Sequence, residues 1–260
     1  MEDFNVLTMT ERCCAREFVA NVLPLYCGPH ISLQVASSDQ EYTVSKSLLC
    51  AVSSYFSAML EGPLLDTQHS VFTLQKVEGV VSDQSLEALI QWLYLRAVVF
   101  AVEDPTEQIS AAIELARLAD MCRISELAAP MAEYIQNVVV SNPSPESGTY
   151  WRHADNNTHY ITSQHIASAS TLPSKHPVRQ VLAKASVEGY LRQQDYKFFE
   201  ETQLYPSFGA DLLAEVGMAL GGLISNSNVA FEDPISGVRV EINTRKAIHW
   251  ATTDNGMTIQ

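Results

Sequence analysis

The sequence predicts an α+β fold in which helices outnumber strands, followed by a mostly helical C-terminal region. Three observations carry this. Ile31-Ser-Leu-Gln-Val35 alternates apolar and polar residues as a half-buried strand does, and Tyr42-Thr-Val44 returns after the turn-like Ser37-Ser-Asp-Gln40. Leu48, Leu49, Val52, Tyr55, Phe56, Met59 and Leu60 then recur at spacings of three and four, the period of a helix. Beyond Ser82 the same period returns in three further blocks before a stretch rich in proline, glycine and asparagine interrupts it.

Taken in order, residues 1–28 hold a helix-like segment with Phe18, Val19, Val22 and Leu23 on one side, ended by Pro24. The strand pair runs straight into Val44–Leu60, read as two short apolar helices abutting at Ser53, whose side chain caps the second. A helical hairpin so short and apolar needs cover from its neighbours. Val71-Phe-Thr-Leu74 is a third short strand, after a loop at Glu61-Gly-Pro63. From Ser82 an amphipathic helix presents Leu86, Leu89, Ile90 and Leu93, with Trp92 and Tyr94 flanking that face as packing residues. Ala97–Val102 is a short strand or an extended link. Asp104-Pro-Thr-Glu107 starts the next helix: Asp104 caps, Pro105 suits the first position, and Glu107 reaches back to the cap. That helix carries Ile109, Ile113, Ala116 and Leu118 to about Met121. Ser125–Val138 presents Leu127, Met131, Tyr134 and Ile135, and Pro130 within it predicts a kink or a start near Ala129.

Asn142–His159 gathers Pro143, Pro145, Gly148, Asn156 and Asn157 with few aliphatics, and reads as a linker. Beyond it, His176-Pro177 opens a helix carrying Val178, Val181, Leu182 and Ala185, and Pro206 precedes a helix from about Phe208 to Leu223. Val229-Ala-Phe-Glu and Val238-Arg-Val-Glu-Ile flank Asp233–Gly237 as a closing hairpin.

Bulk properties narrow the function. The chain has 260 residues, 47% hydrophobic and 18% charged, which is globular composition. A formal net charge of −14 argues against nucleic acid and anionic membrane surfaces, which require a concentrated basic face. Five cysteines, an odd number without regular spacing, point to reduced, buried thiols in a cytoplasmic or nuclear protein. No secretory leader opens the chain, and the longest apolar run, Leu212–Ile224, is broken by Glu215 and too short for a bilayer.

No nucleophile elbow, phosphate loop or dinucleotide fingerprint is present. The most metal-like grouping is His153, Asp155, His159 and His165, but no Cys-x-x-Cys or His-Glu-x-x-His frame accompanies it, and a solvated linker explains the same residues. Neither catalytic residues, a metal nor a cofactor is therefore expected. The competing enzyme hypothesis places a metal-dependent site at His153, His159, His165 and His176, and a third reading is a protein that only oligomerises.

Tyr42-Thr-Val-Ser-Lys-Ser-Leu-Leu-Cys50, Ser53-Ser-Tyr-Phe-Ser-Ala-Met-Leu-Glu-Gly62, Val71–Leu74, Leu86-Glu-Ala-Leu-Ile-Gln-Trp-Leu-Tyr94 and Ala112–Leu127 succeed one another in an order that resembles the BTB/POZ domain, in its stand-alone fungal type. His176-Pro-Val-Arg179 and Tyr205–Leu213 are similar to the tail regions that fungal members carry after the domain. The resemblance implies a small three-stranded sheet capped by helices. It divides the chain into a helical extension (1–27), the BTB/POZ domain (28–140), a linker (141–160) and a helical C-terminal region (161–260). It further implies a non-enzymatic protein-interaction module: a substrate adaptor for a cullin-based ubiquitin ligase, or a transcription-related scaffold, with protein partners or further copies of itself. In the family the cullin docks beside the helix that starts here at Ser82, so Val99, Phe100 and Val102 are the expected apolar anchor, flanked by Glu103. The chain departs from the usual pattern at His30, Ser45 and Leu64-Leu65-Asp66, positions that in better-known members line a charged pocket and the dimer edge. This counts against the standard homodimer.

Overall fold

The computed structural model describes residues 16, 18–60, 71–145, 155–192, 196–221 and 229–242. The chain divides into two compact units, residues 1–134 and 135–260.

Near its start the first unit has a π-helical turn, Phe18–Val22, that leads into the short helix α1 (Leu23–Tyr26). Pro24 does not end the N-terminal helix as expected. It lies in the first turn of α1, where a missing N–H costs no hydrogen bond. Only Val22 of the predicted apolar side is buried.

Strands β1 (His30–Val35), β2 (Glu41–Ser45) and β3 (Val71–Leu74) form a mixed sheet in the order β2-β1-β3. β2 runs antiparallel to β1 with Leu33 opposite Tyr42, and β3 runs parallel to β1 with Leu33 beside Phe72. The alternation in β1 is realised, with Leu33 and Val35 buried and Gln34 between them donating its side-chain amide to the Ser38 carbonyl at 2.6 Å. Ser37 takes a left-handed φ of 69° to make the turn.

Helices α2 (Lys46–Val52) and α3 (Ser54–Leu60) meet at Ser53 as the sequence predicts. The Ser53 hydroxyl accepts from the Phe56 N–H at 3.1 Å and donates to the Cys122 carbonyl at 2.5 Å. One side chain thus caps α3 and ties it to a residue 69 positions away. Leu48, Leu49, Val52, Phe56 and Leu60 are buried, whereas Met59 faces solvent.

The cover comes from α4 (Asp83–Leu95) and α5 (Pro105–Met121). Ser82 and Ser85 form a reciprocal capping box on α4, and Leu86, Leu89, Trp92 and Leu93 are buried. Asp104 caps α5 by accepting from the Glu107 N–H at 3.0 Å. The expected return bond from the Glu107 side chain is absent among the described residues. A 3-10 turn, Ser125–Leu127, leads into α6 (Ala128–Ser141). Pro130 therefore falls in the first turn of α6 and needs no kink.

The second unit is built around α8 (Pro177–Arg192), which comes after α7 (Ser163–Ala169) and precedes α9 (Phe199–Leu204) and α10 (Pro206–Gly221). Strands β4 (Val229–Glu232) and β5 (Arg239–Ile242) pair antiparallel as the predicted hairpin. α8 buries residues around its whole circumference, among them Val178, Arg179, Leu182, Ser186 and Glu188. A run of edge-to-face rings, Tyr190–Tyr196–Phe198–Phe208, lines the unit with centroids 5.5, 6.0 and 6.2 Å apart. Thiols are less uniformly buried than expected: Cys122 is buried, Cys27 is exposed, and no disulfide joins Cys27, Cys50 or Cys122. Cys13 and Cys14 lie outside the described residues.

Candidate functional site

In the first unit the segment from Leu95 to Glu103 is the extended link, unpaired with any strand among the described residues. Arg96 closes α4 with a left-handed φ of 54° and stacks its guanidinium on Trp92, 4.4 Å from the ring centre. From there the side chains alternate. Leu95, Ala97, Val99, Ala101 and Glu103 point to solvent, while Val98, Phe100 and Val102 are turned inward. Val99 is 75% exposed. Its N–H is held by the Gln91 side chain at 2.8 Å, and the Val102 carbonyl accepts from Gln108 at 2.8 Å. The expected anchor of Val99, Phe100, Val102 and Glu103 is thereby split. Phe100 packs edge-to-face on Tyr134 at 5.2 Å and holds the segment down, while Val99 and Glu103 face solvent. Ser45 is fully buried, accepting from the Leu48 N–H and donating to the Leu25 carbonyl at 2.5 Å. A compact hydroxyl there caps α2 and fastens the N-terminal turn. Leu64, Leu65 and Asp66 lie outside the described residues.

The second unit holds a buried polar knot that sequence reading missed. Asn157 donates to Asp233 at 2.9 Å and reaches Glu188 at 3.5 Å, Asn156 donates to Glu188 at 3.2 Å, and Arg192 pairs with Glu188 at 2.9 Å. Asp155 accepts from Thr158 and from two backbone N–H groups. Lys197 donates to the carbonyls of Thr158 and Ile161 at 2.6 and 2.8 Å. Burial pushes the Glu188 carboxyl up to about 7, opposed by Arg192, and burial also raises Asp155 against its hydrogen bonds. Residues 155–158 are thus packed polar structure at the end of the stretch expected to be a linker. Their amide N–H and carboxylate groups pair with one another instead of water, while Asn156 Oδ1 is buried without a partner among the described residues.

Beside this knot lies a cavity of about 950 Å³, lined by Lys184, Glu215, Met218, Glu232, Asp233 and Arg239 among others. Glu215 was visible in the sequence as the one charge interrupting the apolar run Leu212–Ile224. Glu188 carried no such mark, because its burial depends on which segments fold over α8.

The histidines proposed for a metal have separate tasks. His165 caps α7 by accepting from the Thr162 N–H at 3.1 Å, His176 accepts from the Val178 N–H at 3.2 Å, and His159 is exposed against Tyr160. His153 lies outside the described residues. Among the described residues no group of three or more potential ligands could hold a metal ion, and no helix is long and apolar enough to cross a membrane. No curated protein matches the chain. The mixed three-stranded sheet, the capped hairpin α2–α3 and the covering helices α4 and α5 coincide with the span that matches the model of the BTB/POZ domain family, so residues 29–137 are a BTB/POZ domain, a protein–protein interaction module.

Proposed function

We propose that the chain is a non-enzymatic adaptor in which the BTB/POZ domain docks on a cullin-type ubiquitin-ligase scaffold and the second unit engages another protein. The observation that carries the docking half is the outward pair Val99 and Glu103, on a backbone segment fixed from within by Phe100. An apolar side chain with an acid four residues on, held rigid, presents buried area and charge without an ordering cost on binding. The tail stretches His176–Arg179 and Tyr205–Leu213 support placing the chain with the fungal type. An adaptor of this kind works in the cytoplasm or nucleus, in keeping with cysteines that form no disulfide among the described residues. Titration calorimetry of the full chain against purified cullin N-terminal regions tests the reading. Binding is expected to weaken about tenfold in Val99→Asp, from the lost burial of one aliphatic side chain. Absence of binding by the unaltered chain, or a Val99→Asp variant that binds as well, overturns it.

A further inference from the structure

Three acids line the cavity of the second unit, and two of them, Asp233 and Glu215, are in opposite situations. Asp233 is spent within the fold, accepting from Asn157, from the Ser236 hydroxyl and from the Ile235 and Ser236 N–H groups. Glu215 is only 5% exposed and lines the cavity, yet no hydrogen bond or ion pair engages its carboxylate among the described residues. One helical turn earlier, Asp211 on the same helix is held by Arg179 at 2.7 Å, so the fold supplies a cation to one acid and withholds it from the next. Lys184, on α8, acts on Glu215 through space without closing an ion pair with it. Facing the cavity, the carboxylate meets no protein cation at ion-pair distance among the described residues, and a ligand that brings one gains a charge-assisted hydrogen bond.

We propose that this cavity binds a lysine or arginine side chain presented by an extended segment of a partner protein, with Glu215 receiving the cationic head. The surroundings fit such a side chain along its length. Met218, 64% exposed, and Pro234 offer apolar surface to an aliphatic stem. The exposed Glu232 adds a further acid to the lining, and the exposed Arg239 a second competing cation beside Lys184. The volume exceeds what one side chain fills and leaves room for flanking backbone. Burial pushes the Glu215 carboxyl up, with Asp211 adding to the rise and Lys184 opposing it, and an arriving cation supplies the counter-charge. The occupant's identity as a protein segment rests on the adaptor reading; the cationic chemistry does not.

Fluorescence anisotropy of the full chain with labelled degenerate nonapeptide pools, their central residue fixed as arginine, lysine, norleucine or glutamate, tests this. The arginine and lysine pools are expected to bind at least about tenfold tighter than norleucine, as a charged hydrogen bond provides. Glu215→Gln should abolish that preference. Lys184→Gln should strengthen binding a few-fold by removing a competing positive charge, an effect opposite in sign that misfolding cannot produce. Equal binding of the norleucine pool, or a preference that survives Glu215→Gln, overturns the proposal. Free agmatine or spermidine competing at the same affinity as the peptide pools also overturns it, assigning the site to small amines. Because the readout lies in the second unit, it is independent of Val99 and of cullin binding.

Discussion

At the scale of single residues, polar side chains at element junctions were the most legible part of the site chemistry. Ser53 and Asp104 were each placed as caps from their position before an apolar period, and each accepts the expected N–H. Glu188 shows the opposite case. Nothing in Ser186-Val-Glu-Gly189 marks a carboxylate whose residue is 1% exposed, since that depends on Asn156, Asn157 and Asp233 arriving from sequence-distant segments. Its raised carboxyl has a consequence for stability. Below pH 4.5 both folded and unfolded chains hold the proton. Between 4.5 and about 7 the unfolded chain releases it while the folded chain retains it, so stability falls as pH rises through this window and levels off above it. The loss is on the order of 3 kcal/mol, since each pH unit between the two values amounts to about 1.4 kcal/mol. Urea denaturation at pH 5 and pH 7.5 should show this fall in the unaltered chain and a smaller one in Glu188→Gln; matching falls would refute the assignment.

Among elements, helices with one apolar face were read with nearly correct bounds, as α4 and α5 show, because their period is written in the sequence. α8 was recognised from Val178, Val181, Leu182 and Ala185, but its burial on every side was not, because the remaining faces include the polar Arg179, Ser186 and Glu188, which neighbours satisfy. The two tail stretches singled out by resemblance turn out to meet. Arg179 pairs with Asp211 and also donates to the carbonyls of Leu172 and Ser207, joining α8 to the start of α10. Removing the guanidinium leaves a carboxylate and two carbonyls without their donor, so Arg179→Ala is expected to cost about 3 kcal/mol. Asp211→Asn should cost less, because the two carbonyl bonds remain. Denaturation midpoints distinguish them, and an Arg179→Ala variant as stable as the parent would show the junction to be dispensable.

For the whole molecule, the net charge of −14 is a property of the sequence that needs no fold. It sets up an attractive field for a basic partner and predicts that association with the arginine pool slows several-fold between 50 and 500 mM salt, mostly in the on-rate, as stopped-flow anisotropy would read. A salt-independent on-rate would show that the field plays no part in capture. The same charge has no bearing on which acid receives the cation. Composition and periodicity by themselves determined the α+β class, the strand–strand–helix–helix–strand order of the BTB/POZ domain and the closing hairpin, since each rests on residues close in sequence. Only the tertiary structure decided that Phe100 faces inward while Val99 faces out, that Asp233 is satisfied while Glu215 is not, and that His159, His165 and His176 take up separate contacts. Those outcomes depend on which distant groups share a desolvated space, and a one-dimensional pattern does not record that.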